Sequence, residues 1–186
     1  THPDMLDYVA EPFSSPIGAG GFAWSTKKLI RSLVLTRAYQ LSSTADAKAD
    51  EIDPGNLLLQ RMRVRRLEAE AIRDSILKVS GRLNTSMYGP SVPVHLTAFQ
   101  DGRGKPSSGP LDGDGRRSIY LATRRNFLSS FLLAFDAPAP FSTVGRRTVS
   151  NVPAQALILM NDPFVHQQAD IWAKRVASEK SDVEAR

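Results

Sequence analysis

The 186-residue chain contains no cysteine, which excludes disulfides, Cys-x-x-Cys redox chemistry, thiolate metal sites and thioether attachment of haem. No apolar run approaches the roughly 20 residues that a membrane-spanning helix needs. Histidine is scarce: His2, His95 and His166 are scattered, no HxxxH or HExxH spacing occurs, and transition-metal binding is not expected. There is no GxSxG nucleophile elbow. Gly18-Ala19-Gly20-Gly21 does not follow a strand pattern, so it is not a phosphate cradle. Asp101-Gly102-Arg103-Gly104 and Asp112-Gly113-Asp114-Gly115 have calcium-loop composition but lack the third ligand position and terminal Glu of an EF-hand; both read as flexible loops. Thr1 carries neither an initiating Met nor a basic-then-apolar leader, so the expectation is an internal cut from a longer protein, with any targeting signal on the missing part. No internal repeat or low-complexity tract is present.

What the chain does have is arginine. Seventeen of its 24 basic residues are Arg and seven are Lys, and the net charge is +5. Doublets stand at Arg65-Arg66, Arg116-Arg117, Arg124-Arg125 and Arg146-Arg147. A phosphate-tracking surface would mix in Lys and interleave stacking aromatics. Here the nearby Phe127, Phe131 and Phe135 fall at helical spacing and read as core. The planar guanidinium fork suits carboxylates and carbonyls at buried or interface sites. Internal pairing is therefore the expectation, and nucleic acid is not an expected partner.

The pattern is mainly α. Thr1-His2-Pro3-Asp4 opens a short helix that Pro12 should stop. Ser25 caps a stronger one with Leu29, Ile30, Leu33, Val34, Ala38 and Leu41 on one face. Asp53-Pro54-Gly55-Asn56 is a turn signature. From Leu57 to Ser80 the spacing predicts helix, with a break near Arg63–Arg65, and Gly81 fits a C-terminal cap. Between Gly81 and Gly115 lie 11 of the 24 Gly and Pro residues, so 81–117 is an irregular loop region. Val92, Val94 and Leu96 alternate, and Ser118–Thr123 has strand composition; a small two-stranded ribbon is expected there. Asn126 should cap a helix through Phe135. Pro153 sits in the first turn of another, and Asp162-Pro163 starts the last. A charged tail occupies 177–186. The expected fold is one irregular helical domain over 1–186, with that ribbon and long Gly/Pro-rich loops; the length suffices for a substantial core.

Glu70 and Asp74 are the most informative residues. At 100° per residue they fall among Leu67, Ala71 and Leu77. As like charges at i, i+4 they disfavour the helix, and burial without a partner would raise their pKa. A cation from another segment should therefore meet them. One outcome is an ion-pair network clamping this helix to the 116–125 or 146–147 segment. The other is a general acid/base pair or a divalent-ion clip, with Arg117, Arg124, Arg125 and Arg146 as candidate binding residues. No metal site and no cofactor is expected in the fragment. His166, four residues before Asp170, suggests an exposed helical ion pair.

Ten stretches in order carry a family resemblance: Thr1-His2-Pro3-Asp4-Met5-Leu6-Asp7, Trp24-Ser25 with Lys27-Lys28-Leu29, Asp53-Pro54, Arg65–Asp74, Gly89-Pro90-Ser91-Val92, Arg117-Ser118-Ile119-Tyr120, Arg124-Arg125-Asn126, Phe135-Asp136-Ala137-Pro138, Val152-Pro153-Ala154-Gln155-Ala156-Leu157 and Asn161-Asp162-Pro163-Phe164-Val165. Together they resemble the C-terminal domain of unknown function, the "PSD" type, of large planctomycete multidomain proteins. The resemblance implies an extracytoplasmic protein (periplasmic or cell surface), often with a cytochrome c domain upstream, and implies no activity or catalytic residue. The chain departs from the pattern in the loop after Glu11 and in the polar 97–115 segment.

Two functions follow. The chain is either a structural or interaction module packing on upstream domains of the same polypeptide, or an enzyme domain, hydrolytic or electron-transfer-linked, built on a Glu/Asp/Arg cleft. Polysaccharide binding would need an exposed aromatic platform; Trp24 and Trp172 are the candidates, although their helical neighbours favour core placement.

Overall fold

The computed structural model describes residues 3–141 and 143–178. The expected cap at Thr1, His2 and the charged tail beyond Ser178 lie outside the described residues. The chain divides into two compact units, Thr1–Arg65 and Arg66–Arg186. Seven α-helices run through the described residues.

The first unit holds α1 (Pro3–Ser14), α2 (Thr26–Val34) and α3 (Ala47–Ile52). α1 continues two residues past Pro12, so the proline does not stop it; what it lacks is only the N–H that would bond one turn back. Ser25 caps α2 by accepting from the Lys28 N–H, and Asp46 caps α3 by accepting from the Ala49 N–H. The helix expected from Leu57 does not form before residue 69. The reason lies in Asp53, whose carboxylate accepts the Leu57 N–H at 2.9 Å and the Leu58 N–H at 2.7 Å. A side chain that captures backbone donors competes directly with helix. Asn56 and Leu59 then adopt positive φ. Asn56 closes the turn, donating to the Arg61 carbonyl at 2.8 Å and accepting its N–H at 3.2 Å. Asp53 and Asn56 are the only buried side chains of this unit among the described residues; its apolar side chains are exposed or half-buried.

The second unit is built around α4 (Ala69–Ser80), which packs on α5 (Ser130–Ala134) and α7 (Pro163–Ser178); α6 (Pro153–Asn161) packs on α5 and α7. Ala69, Leu77, Phe131, Phe135 and Phe164 form the core, with Phe131 5.1 Å from Phe135 and edge-on to Phe164 at 5.5 Å. Phe127 is buried as expected, but outside α5: it joins Val94 and Leu96 in a second small cluster. Ser129, not Asn126, caps α5.

The two-stranded ribbon resolves into isolated bridges. Val92 pairs with Leu121 in parallel, its N–H donating to the Tyr120 carbonyl and its carbonyl accepting from Ala122, both at 2.8 Å. Pro93 has no N–H to extend the ladder. Ser118–Tyr120 is a single 3-10 turn, because the Ser118 N–H is already committed to a side chain of α4. The segment before it is not a flexible loop. Gly113, Asp114 and Gly115 are consecutive left-handed residues, and both glycines are buried. A Cβ on Gly113 would lie 2.7 Å from the Arg73 guanidinium, and one on Gly115 would strike the Arg82 carbonyl oxygen. Gly115→Ala is therefore expected to destabilise the protein by at least about 1–3 kcal/mol, read as a lower midpoint in thermal or urea unfolding.

Candidate functional site

Most of the ion pairs of the second unit gather on and beside α4. Arg73 is 4% exposed, and its guanidinium is met on all sides. Nη1 donates to the Arg116 carbonyl at 3.0 Å and the Ser118 hydroxyl at 3.1 Å, and Nη2 donates to the Asp112 carbonyl at 2.7 Å. Asp74 lies 3.7 Å away, and the Phe164 ring sits under the cation at 5.4 Å. Burial pulls the Arg73 pKa below its ordinary value, opposed by the charges of Asp74 and Asp112.

Asp74 turns away from solvent toward the same loop. Its Oδ1 accepts the N–H and the hydroxyl of Ser118, both at 2.7 Å. Arg117 approaches Oδ2 at 3.5 Å. Glu70 is taken by a different segment: Arg147 grips it with two parallel bonds, Nη1 to Oε2 at 2.7 Å and Nη2 to Oε1 at 3.0 Å. The Arg147 hydrogen bond holds the Glu70 carboxyl below its usual range, against the opposing effect of partial burial, and Glu70 in turn raises the Arg147 pKa.

The cation expected for the two carboxylates is thus a pair from two segments, Arg117 and Arg147. Both carboxylates are closed off: Glu70 by a bidentate Arg, Asp74 by a serine and a half-exposed Arg. A cavity of about 120 Å³ does adjoin Glu70 and Ser118, but its other walls are largely apolar, including Val94, Phe127, Leu132 and Pro138. Ser118 has no histidine partner; its hydroxyl donates to Asp74 and accepts from Arg73. The arrangement holds chain segments together and leaves no free general base. Of the candidate binding residues, Arg117 reaches Asp74, whereas Arg124, Arg125 and Arg146 make no side-chain hydrogen bond or ion pair among the described residues.

Three polar clusters escaped the sequence reading. Arg82 donates to the buried Asp112 at 2.7 Å. Ser80 donates to Gln168, itself 1% exposed, at 2.7 Å. Arg66 bonds the Ser150 carbonyl and Gln155 Oε1, lying over the Phe135 ring at 5.8 Å. Ser150 in turn donates its N–H and hydroxyl to Asp136 at 2.7 and 2.8 Å, and these bonds, the backbone one foremost, lower the Asp136 pKa. The only signal available was the excess of Arg, Ser and Gln in otherwise helical segments. His166 does not pair with Asp170; its Nε2 lies 2.7 Å from the Met160 carbonyl. Trp24 and Trp172 are both exposed rather than core, at 67% and 47%. Trp24 stands edge-on to Phe13 at 5.2 Å.

No group of His, Asp and Glu among the described residues has the arrangement of a metal site, and no described helix is long and apolar enough to cross a membrane.

Glu70 and Asp136 contribute to the acid sensitivity of this unit. Both have folded pKa values below the unfolded ones, so the unfolded chain binds more protons as pH falls through that window, and the stability they contribute is full above it and lost below. The unfolding midpoint should hold from pH 7 to about 5 and then drop. Glu70→Gln should lower stability at pH 7 by under about 1 kcal/mol, since the pair is solvent-screened, and should flatten the acid limb in a pH series of thermal melts.

The family model described as PSD1, protein of unknown function (DUF1553), matches residues 1–186. No curated protein matches the chain, and no solved structure does.

Proposed function

This chain belongs to the PSD1 family of proteins of unknown function (DUF1553), and on that premise we propose that it is an interaction module that packs on other domains of a larger polypeptide. The observation that carries this reading is α6. Its sequence, Pro-Ala-Gln-Ala-Leu-Ile-Leu-Met-Asn, is apolar around nearly its whole circumference, and helices of that kind belong inside a protein. Yet its only buried residue is polar Gln155, while Leu157 and Met160, one turn apart, are 58% and 69% exposed. Val149 and Val152 just before the helix extend the same apolar character. Exposed apolar side chains gathered along one short stretch of chain mark a surface meant to be covered.

Neighbouring domains of the same chain are the fitting cover, as the family resemblance implies; the extracytoplasmic setting rests on that resemblance alone. The charged groups on α4 support the same reading from the other side, since Glu70, Arg73 and Asp74 are consumed in holding segments together.

The test compares the 186-residue chain with the longer protein. A Leu157→Glu/Met160→Glu variant should change the unfolding free energy of the short chain by no more than about 0.5 kcal/mol, because both side chains are wet there. In the longer protein the same variant should lower it by about 2 kcal/mol or more, the loss of two apolar side chains from a covered surface. Equal effects in both contexts would sink the proposal.

A further inference from the structure

A second cavity in the second unit, about 130 Å³, is bordered by Arg124, Ser91 and Ser107, with Pro93, Pro106 and Ala122 as apolar walls. That is room for about four waters at roughly 30 Å³ each, or for one small oxyanion. Its walls are fixed. The Val92 N–H and carbonyl are bonded to residues 120 and 122, and the Gly109 N–H donates to the Val94 carbonyl at 2.9 Å. Gly109 presses so closely on Pro93 that a Cβ there would strike the Pro93 carbonyl oxygen. The backbone that frames the cavity is therefore in place before any ligand arrives.

Arg124 belongs with Arg103, Arg125 and Arg146, arginines of this unit that make no side-chain hydrogen bond or ion pair among the described residues. Arg66, Arg73, Arg82, Arg116, Arg117 and Arg147 each meet a carbonyl or a carboxylate. Arg124 meets neither among the described residues, although it borders a cavity, and the exposed Ser91 and Ser107 hydroxyls beside it have no hydrogen-bond partner among the described residues. An exposed guanidinium and two exposed hydroxyls bordering one cavity with apolar walls are the complement of a single oxyanion group. We infer that this cavity is a binding site for a small oxyanion, a carboxylate or a sulfate or phosphate group, held by Arg124 with Ser91 and Ser107. The inference stands independently of the packing role proposed for α6.

Titration of the protein with sodium acetate, sodium sulfate and sodium phosphate at constant ionic strength, followed by amide chemical shifts, tests it. Saturable shifts centred on residues 91, 107 and 124 are expected for at least one salt, and the preferred salt identifies the oxyanion. Arg124→Gln should weaken that binding about tenfold or more, the loss of a charge-assisted pair, while leaving the unfolding midpoint unchanged. Ser107→Ala should weaken it less. Arg125→Gln, on the same turn but off the cavity, should bind as the parent does. Linear, unsaturated shifts with all three salts would overturn the assignment, as would equal binding by the parent and the Arg124→Gln variant.

Discussion

Burying a guanidinium is the constraint from which the second unit is built. An unpaired cation in that position would be untenable, since desolvation costs several kcal/mol unless good geometry and hydrogen bonds offset it. Arg73 therefore demands oxygen atoms at set positions, and the chain supplies them from residues 112, 116 and 118. Those three points pull an otherwise irregular segment onto α4. They also dictate its backbone: Gly113 passes so near the guanidinium that a side chain has no space. Three left-handed residues in succession carry the loop around. Once Ser118 is placed, its N–H and hydroxyl satisfy Asp74, so the adjacent carboxylate is settled by the same loop that settles the cation.

The rest of the unit repeats this logic with different partners. Arg66, Gln155, Ser150 and Asp136 link the approach to α4 with the connector before α6. Arg147 reaches Glu70 across 77 positions of chain. Polar clamps of this type need definite geometry to be favourable, and they bring specificity of arrangement along with stability. They also explain how a unit with a small aromatic core holds long Gly- and Pro-rich segments in order. What the clamps do not do is cover apolar surface. α6 is left wet, and in the first unit the buried side chains among the described residues are Asp53 and Asn56 rather than leucines. Both facts suit a module whose remaining surface is completed by other parts of a larger protein.

Helix caps at Ser25 and Asp162, the Gly81 terminus and the Phe131–Phe135 core were legible because each depends on neighbours within a few residues, whereas α3 and its Asp46 cap were not foreseen in the polar 42–53 stretch. The helical character of the fold followed from them. That Glu70 and Asp74 would be met by arginines was legible too, from their placement on an apolar face. Which arginines was not, since choosing Arg147 over Arg146 requires knowing how a connector is turned 77 positions away. The failed helix at Leu57 has a local cause that propensity ignores: a single carboxylate, Asp53, captures two N–H groups. The missing ribbon has a distant one, for Asp74 takes the Ser118 N–H that a ladder would use. The exposure of Trp24 and Trp172 depends on what covers a face, and periodicity along the chain carries no information about that.

Native-state amide hydrogen exchange is the most direct test of the constraint placed on Arg73. The Ser118 and Asn84 N–H groups lie outside any α-helix but bond at 2.7 and 2.8 Å to Asp74 and to the Gly115 carbonyl. If the buried guanidinium locks this loop onto α4, both should open only with the helix and exchange with the same free energy as the Leu77 amide at its centre. Exchange of Ser118 and Asn84 at the rate of an exposed loop, while Leu77 remains protected, would contradict it.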